Sequence, residues 1–147
     1  MNFEKTLDFI KQAHGDQTYG DQPYWTHPVE VARVVYSELG GTGTEIIAAL
    51  LHDVVEDTEY TIQDLLDFGF TADVIDIVEL LTKQPGSYQE NIQRIIDSGN
   101  KSAMCVKLAD NMVNDSGDKS QMSTERRDRL NKKYKMSMKM LAEALGD

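Results

Sequence analysis

Histidine and aspartate stand side by side at His52-Asp53, where the apolar run Ala48-Ala49-Leu50-Leu51 gives way to Val54-Val55-Glu56-Asp57. An imidazole and a carboxylate carried into a protein interior cost free energy unless they are compensated, and a divalent cation is a common compensator. Two other segments supply matching donors, His27 in Tyr24-Trp25-Thr26-His27-Pro28 and Asp110 in Val106-Lys107-Leu108-Ala109-Asp110. A His2Asp2 set without thiolates suits Mn2+, Fe2+ or Zn2+, with Mn2+ the favoured ion. Glu56 follows Asp53 by three residues and Asp57 follows it by four, so on a helix these carboxylates crowd one side. Carboxylates that close repel one another unless a cation sits among them. An ion held there lowers the pKa of its water and polarises a phosphoryl oxygen.

The elements that position these residues read as helices almost throughout. Phe3, Leu7, Ile10 and Ala13 recur at helical spacing and predict a helix over 3–14, closed by His14-Gly15. A polar segment with Gly15, Gly20 and Pro23 leads to a second helix that begins at His27-Pro28 and runs up to Gly40-Gly41. Thr44 is expected to cap a third, central helix that continues through Val55, since its apolar residues wrap most of its circumference. Thr61 with Asp64, Thr71 and Ser87 each read as caps of further helices. A strongly apolar helix over Ala103 to Met112 carries Asp110, and Ser123 caps a last long helix to about Leu145. The methionines of that last helix read as packing residues.

The whole chain, 1–147, reads as one all-α domain: 147 residues with 40% hydrophobic and 27% charged suit a single core of ordinary size. The first residues lack a basic and apolar leader, and no apolar run reaches a membrane span, so a cytoplasmic protein without a membrane partner is expected. Cys105 is the only cysteine and is expected to be a buried thiol. A net charge of −10 argues against a nucleic-acid polymer as partner. Residues 119–147 run against that trend, with eight cations against four acids. The sequence leaves the oligomeric state open.

Beyond these single residues, several segments together resemble a known family, the HD-domain metal-dependent phosphohydrolases. They are Ala13-His14-x-x-Gln17, Pro23-Tyr24-x-Thr26-His27-Pro28, Ala49-Leu50-Leu51-His52-Asp53-x-x-Glu56-Asp57-Thr58, Leu81-Thr82-Lys83 and Val106-Lys107-Leu108-Ala109-Asp110 followed by Asn114. The branch they resemble is the hydrolase domain of RelA/SpoT-type alarmone enzymes and their small stand-alone relatives. The resemblance implies a compact helical bundle with its metal site between central helices. It implies that His27, His52, Asp53 and Asp110 hold Mn2+, that Glu56 and Asp57 activate or position the attacking water, and that Asn114 helps to hold a nucleotide. The implied reaction removes the 3′-diphosphate of guanosine tetra- or pentaphosphate as pyrophosphate, leaving GDP or GTP.

Two segments depart from the family pattern. Where family members carry a stretch like Gln-x-Arg-Lys-x-Gly, this chain has Thr18-Tyr19-Gly20-Asp21-Gln22, one residue shorter and without a cation. The family's Leu-His-Asn-Met-Arg-Thr run reads Met112-Val113-Asn114-Asp115-Ser116-Gly117. Tyr19 is the candidate to stack on a base in place of those contacts, and Lys83, Lys107 or the Arg126-Arg127-Arg129 cluster are candidates to meet phosphates. His14 reads as structural. The alternatives are an HD phosphohydrolase for a dNTP, a nucleoside monophosphate or NADPH, and a noncatalytic nucleotide-binding module.

Overall fold

A computed structural model describes residues 2–146; Met1 and Asp147, the ends of the expected domain, lie outside the described residues. The chain enters through α1 (Phe3–His14), where the Asn2 side chain caps the helix by accepting from the Lys5 amide at 2.8 Å. Gly15 stops it with a backbone φ of 53°, which a side chain with a Cβ would resist. β1 (Thr18–Tyr19) and β2 (Gln22–Pro23) follow as an antiparallel pair around Gly20, a small ladder that the helical reading did not anticipate. Its consequence is local: it turns Tyr19 back toward the next helix.

α2 (Thr26–Ser37) ends three residues before the expected glycines, and α3 (Gly43–Leu51) is capped by Thr42 rather than Thr44. Thr42 and Glu45 form a reciprocal box that satisfies two free backbone donors, and Thr44 has no such partner three residues on. The larger correction concerns the central helix. It does not continue through Val55 but breaks at His52-Asp53 and resumes as the short α4 (Val54–Asp57). The cause is polar capture of the backbone: the His52 ring Nδ1 donates to the Ala49 carbonyl at 2.6 Å, and the His52 amide bonds to the same carbonyl at 3.5 Å, an i to i+3 link.

The remaining helices are α5 (Ile62–Asp67), α6 (Ala72–Leu81), α7 (Tyr88–Asp97), α8 (Lys101–Ser116) and α9 (Thr124–Gly146). Thr61, Thr71 and Ser87 cap the first three as their spacing predicts, while α8 is longer than the expected 103–112, starting at Lys101 behind the Asn100 cap and running on to Ser116. α2, α3 and α8 form the central layer, with Val31, Val35, Leu50, Leu51 and Val106 wholly buried. Burying each such side chain is worth roughly 1.5–3 kcal/mol. Phe9 of α1 meets Tyr60, Phe68 and Phe70 at centroid distances of 5.0, 4.9 and 5.8 Å on one flank, and α7 and α9 cover α8 on the other. Cys105 is half-buried rather than fully buried, and burial pushes its thiol pKa up. No helix among the described residues is long and apolar enough to cross a membrane.

Candidate metal centre

The break between α3 and α4 is what makes the site. Adjacent residues on an unbroken helix point about 100° apart and cannot face one target. With the helix interrupted, His52 Nε2 and Asp53 Oδ2 lie 3.0 Å apart. α2 brings His27 from its first turn, and α8 brings Asp110 from its middle. His27 Nε2 lies 2.9 Å from Asp110 Oδ1 and 3.8 Å from Asp53 Oδ2, and His52 Nε2 lies 3.3 Å from Asp110 Oδ1. His27, His52 and Asp110 are 3%, 4% and 6% exposed, so this is a buried cluster.

Its chemistry is that of a cation site. With Nδ1 committed to the Ala49 carbonyl, the His52 ring turns Nε2 toward two carboxylate oxygens, and when that nitrogen is unprotonated the buried atom has no hydrogen-bond partner. Burial opposes charge on His52, yet Asp53 and Asp110 outweigh it and hold the imidazole pKa well above its ordinary value. Burial likewise opposes charge on Asp110, but Lys107 and His52 keep its carboxyl well below the usual carboxylate range. A cluster that draws a proton onto a buried imidazole is one that a divalent ion would neutralise. The donor atoms of His27, His52 and Asp53 lie within 4.8 Å of one another, so these residues could hold such an ion, with Asp110 beside them.

The supporting contacts are specific. Tyr24 OH donates to Asp53 Oδ2 at 2.6 Å and stands 3.2 Å from Asp57 Oδ2. Burial and these two carboxylates raise the phenol pKa, so Tyr24 stays a neutral donor. Tyr19 lies stacked on the His27 ring, with centroids 4.4 Å apart and planes at 26°. Ligating histidines usually take their orientation from a hydrogen bond at the second nitrogen. His27 Nδ1 has no such partner, and the Tyr19 ring supplies the orientation instead. Tyr19 OH donates to Asn114 Oδ1 at 2.7 Å, and Asn114 Nδ2 donates to Asp110 Oδ1 at 3.3 Å. Burial and the Asp110 charge push the Tyr19 pKa up to about 12.

Glu56 and Asp57 lie on the exposed side of α4, over the cluster. The backbone N–H of Lys83 donates to Glu56 Oε1 at 2.7 Å and fixes that carboxylate from the end of α6. Desolvation and then Asp53 push the Asp57 pKa up. Asp53, Glu56 and Asp57 form a second group of oxygen donors within 4.8 Å.

Over residues 6–142 the chain matches the family described as the HD domain. It belongs to that family. Among its relatives, this HD domain is 37% identical over 118 residues to the guanosine-3′,5′-bis(diphosphate) 3′-pyrophosphohydrolase MESH1 of Danio rerio, covering 75% of this chain and 65% of that protein. It is 33% identical over 119 residues to the guanosine-3′,5′-bis(diphosphate) 3′-pyrophosphohydrolase of Aquifex aeolicus, covering 76% of this chain and 17% of that one. The chain therefore spans about 65% of the MESH1 relatives and a much smaller share of the bacterial enzymes it matches. A solved structure described as a metazoan ortholog of SpoT that hydrolyzes ppGpp superposes with a TM-score of 0.74, at 27% identity over 98% of this chain and 91% of that chain. The HD-domain fold implies a divalent metal, and the His/Asp cluster is present to receive one.

A cavity of about 320 Å³ opens beside the His/Asp cluster, with His52, Asp53 and Glu56 in its wall. Lys83 and Lys107, both read from the sequence, line it, whereas Arg126, Arg127 and Arg129 are exposed and do not. Tyr19 and Asn114 bond to each other beside Asp110 and are not part of that lining. His14 is buried, its Nδ1 lies 3.0 Å from Gln17 Oε1, and Gln17 Nε2 donates to the Asp57 carbonyl at 2.7 Å. The His14-x-x-Gln17 pair thus ties α1 to the acidic turn. Sequence reasoning missed Tyr24, Tyr88, Arg94 and Lys133. Tyr24 alone carried a signal, its place three residues before His27 in a matched segment.

Proposed function

We propose that this chain is a Mn2+-dependent hydrolase that removes the 3′-diphosphate of guanosine tetra- or pentaphosphate, releasing pyrophosphate and GDP or GTP. The observation that carries the reading is the convergence of His27, His52, Asp53 and Asp110 through contacts of 2.9–3.8 Å beneath Glu56 and Asp57. The names of the relatives support the substrate. His27, His52, Asp53 and Asp110 would hold the ion, which when bound supplies a Lewis acid for the phosphoryl oxygen and acidifies water. Glu56, anchored through one carboxylate oxygen, keeps the other for the attacking water. Asp57, with its raised pKa, is a better proton acceptor than an ordinary aspartate. Tyr24 sets the separation of Asp53 and Asp57 by standing between them.

A second reading, an HD phosphohydrolase for another nucleotide, draws on the cation-free hairpin Thr18-Tyr19-Gly20-Asp21-Gln22. One experiment separates the two: chromatographic product analysis of the protein with Mn2+ against guanosine tetraphosphate, dNTPs, nucleoside monophosphates and NADPH. GDP with pyrophosphate from the tetraphosphate supports the proposal. Turnover confined to the other nucleotides refutes it in favour of the second reading.

A further inference from the structure

The cavity reverses the charge balance of the chain. Acids outnumber Lys and Arg by 25 to 15 in the protein, yet the cavity wall holds four cations, Lys83, Arg94, Lys107 and Lys133, against Asp53 and Glu56. Two of the four are engaged. Arg94 donates to the Leu80 and Thr82 carbonyls at 2.7 and 3.0 Å, and Lys107 pairs with Asp110 at 3.2 Å. Among the described residues, Lys83 and Lys133 form no ion pair.

Lys133 is the one whose position is built. Its ammonium sits 4.3 Å from the centroid of Tyr88, and the Lys107 ammonium sits 5.4 Å from the same ring. Tyr88 is held in turn by a buried chain across three helices: Ser137 of α9 donates to Asn111 Oδ1, and Asn111 Nδ2 of α8 donates to Tyr88 OH of α7 at 2.7 Å. Ser137 and Asn111 are fully buried, so the ring under the lysine is fixed by core contacts. A cation on an aromatic face is attracted by the ring quadrupole, which favours one placement of a flexible side chain. Lys133 also stands close enough to Lys107 and Lys83 that, after burial, their charges lower its pKa. Like charges gathered at one wall repel until an anion joins them.

We propose that Lys133, seated on Tyr88 and acting with Lys83, forms the subsite for the far phosphate of a diphosphate group, the two supplying cations that the hairpin at 18–22 lacks. The inference rests on the phosphohydrolase reading for its substrate class, but anion binding tests it without turnover. The lysines favour a substrate with two linked phosphates over one with a single phosphate, because the second phosphate is the group they would meet.

The experiment is calorimetric binding of inorganic pyrophosphate and of inorganic phosphate to the protein, with Mn2+ in matched excess throughout. Lys133→Met is expected to weaken pyrophosphate binding roughly tenfold to a hundredfold, as loss of one charge-assisted contact does, and to leave phosphate and Mn2+ binding near wild type. Lys133→Arg is expected to keep most of the pyrophosphate affinity, and Arg126→Met, off the cavity, to change nothing. Pyrophosphate binding by Lys133→Met equal to wild type, or equal losses for both anions, would overturn the proposal. So would a wild-type protein that binds no pyrophosphate. Thermal melting checks that the variants fold, with Lys133→Gln as the second variant. Lys133-dependent pyrophosphate binding without hydrolysis of guanosine tetraphosphate would refute the substrate reading and leave the subsite standing.

Discussion

Tyr24→Phe removes one oxygen and leaves the ring, which packs 4.6 Å from His14 and 5.9 Å from His27 between centroids. The hydroxyl carries a single proton, and the 2.6 Å contact to Asp53 claims it ahead of the 3.2 Å contact to Asp57. A hydrogen bond to a charged group is worth about 1.5–3 kcal/mol, which at 1.4 kcal/mol per decade corresponds to roughly tenfold to 150-fold in affinity. Independently, loss of a group that orients a metal ligand typically costs 10–100-fold in metal affinity or activity. The two routes agree, and the expected outcome is a Mn2+ dissociation constant raised by about one to two decades with the fold intact. Titration of the metal-free protein with Mn2+ by calorimetry measures it, beside circular dichroism of both proteins. An unchanged dissociation constant would mean that Asp53 needs no donor to take its place and that the short contact does not orient it.

Glu56→Ala should keep Mn2+ affinity while turnover falls by about 10²–10⁴, whereas His52→Ala should lose the metal itself; substantial turnover in the former removes Glu56 from its proposed role. In the metal-free protein the raised His52 pKa contributes stability that is full below about pH 6.5 and is lost as pH rises through the folded value. Asp110, with its lowered pKa, contributes stability that is present above about pH 4 and is lost as pH falls through the folded value. Urea midpoints across pH should therefore decline on both sides, and a flat alkaline limb would contradict the His52 assignment. Because an ion must displace the His52 proton, Mn2+ binding near pH 7 should release about one proton, read from calorimetry in two buffers of different ionisation enthalpy. Asn111→Ala strands the buried Ser137 hydroxyl and unties Tyr88, and should cost about 1–3 kcal/mol in denaturant unfolding; a loss near zero would show that the three-helix chain carries no stability.

Much of the fold was legible because its helices announce themselves locally. Thr61 with Asp64 spells a capping box in four residues and Ser87 a cap, and α5 and α7 begin where those signals fall. The break at His52-Asp53 was not legible. Ala48 to Leu51 and Val54-Val55 read as one apolar helix, and what divides it is the capture of the Ala49 carbonyl by His52, a contact the apolar pattern does not show. The four proposed ligands were legible as residue types in matched segments, and the structure brings them together. Tyr19 stood in the right hairpin, but its stacking on His27 depends on β1 and β2, two-residue strands too short to show a period. Lys133 could not be singled out, since it is one of eight cations along 119–147 and only the packing of α9 on α8 turns it toward the cavity.

His27 and Asp110 meet across 83 residues of chain. An ion gripping both would close that stretch into a ring, as a covalent crosslink does. By the chain-entropy relation for crosslinks, closing a ring of that size removes on the order of 4.5 kcal/mol of freedom from the unfolded chain, for as long as the ion stays attached to both ends. α9 lies outside the ring, as does the whole of α1. Loading the site would therefore armour the middle of the chain against proteases while leaving α9, whose Lys133 faces the cavity, to be held by packing and the Ser137–Asn111 hydrogen bond.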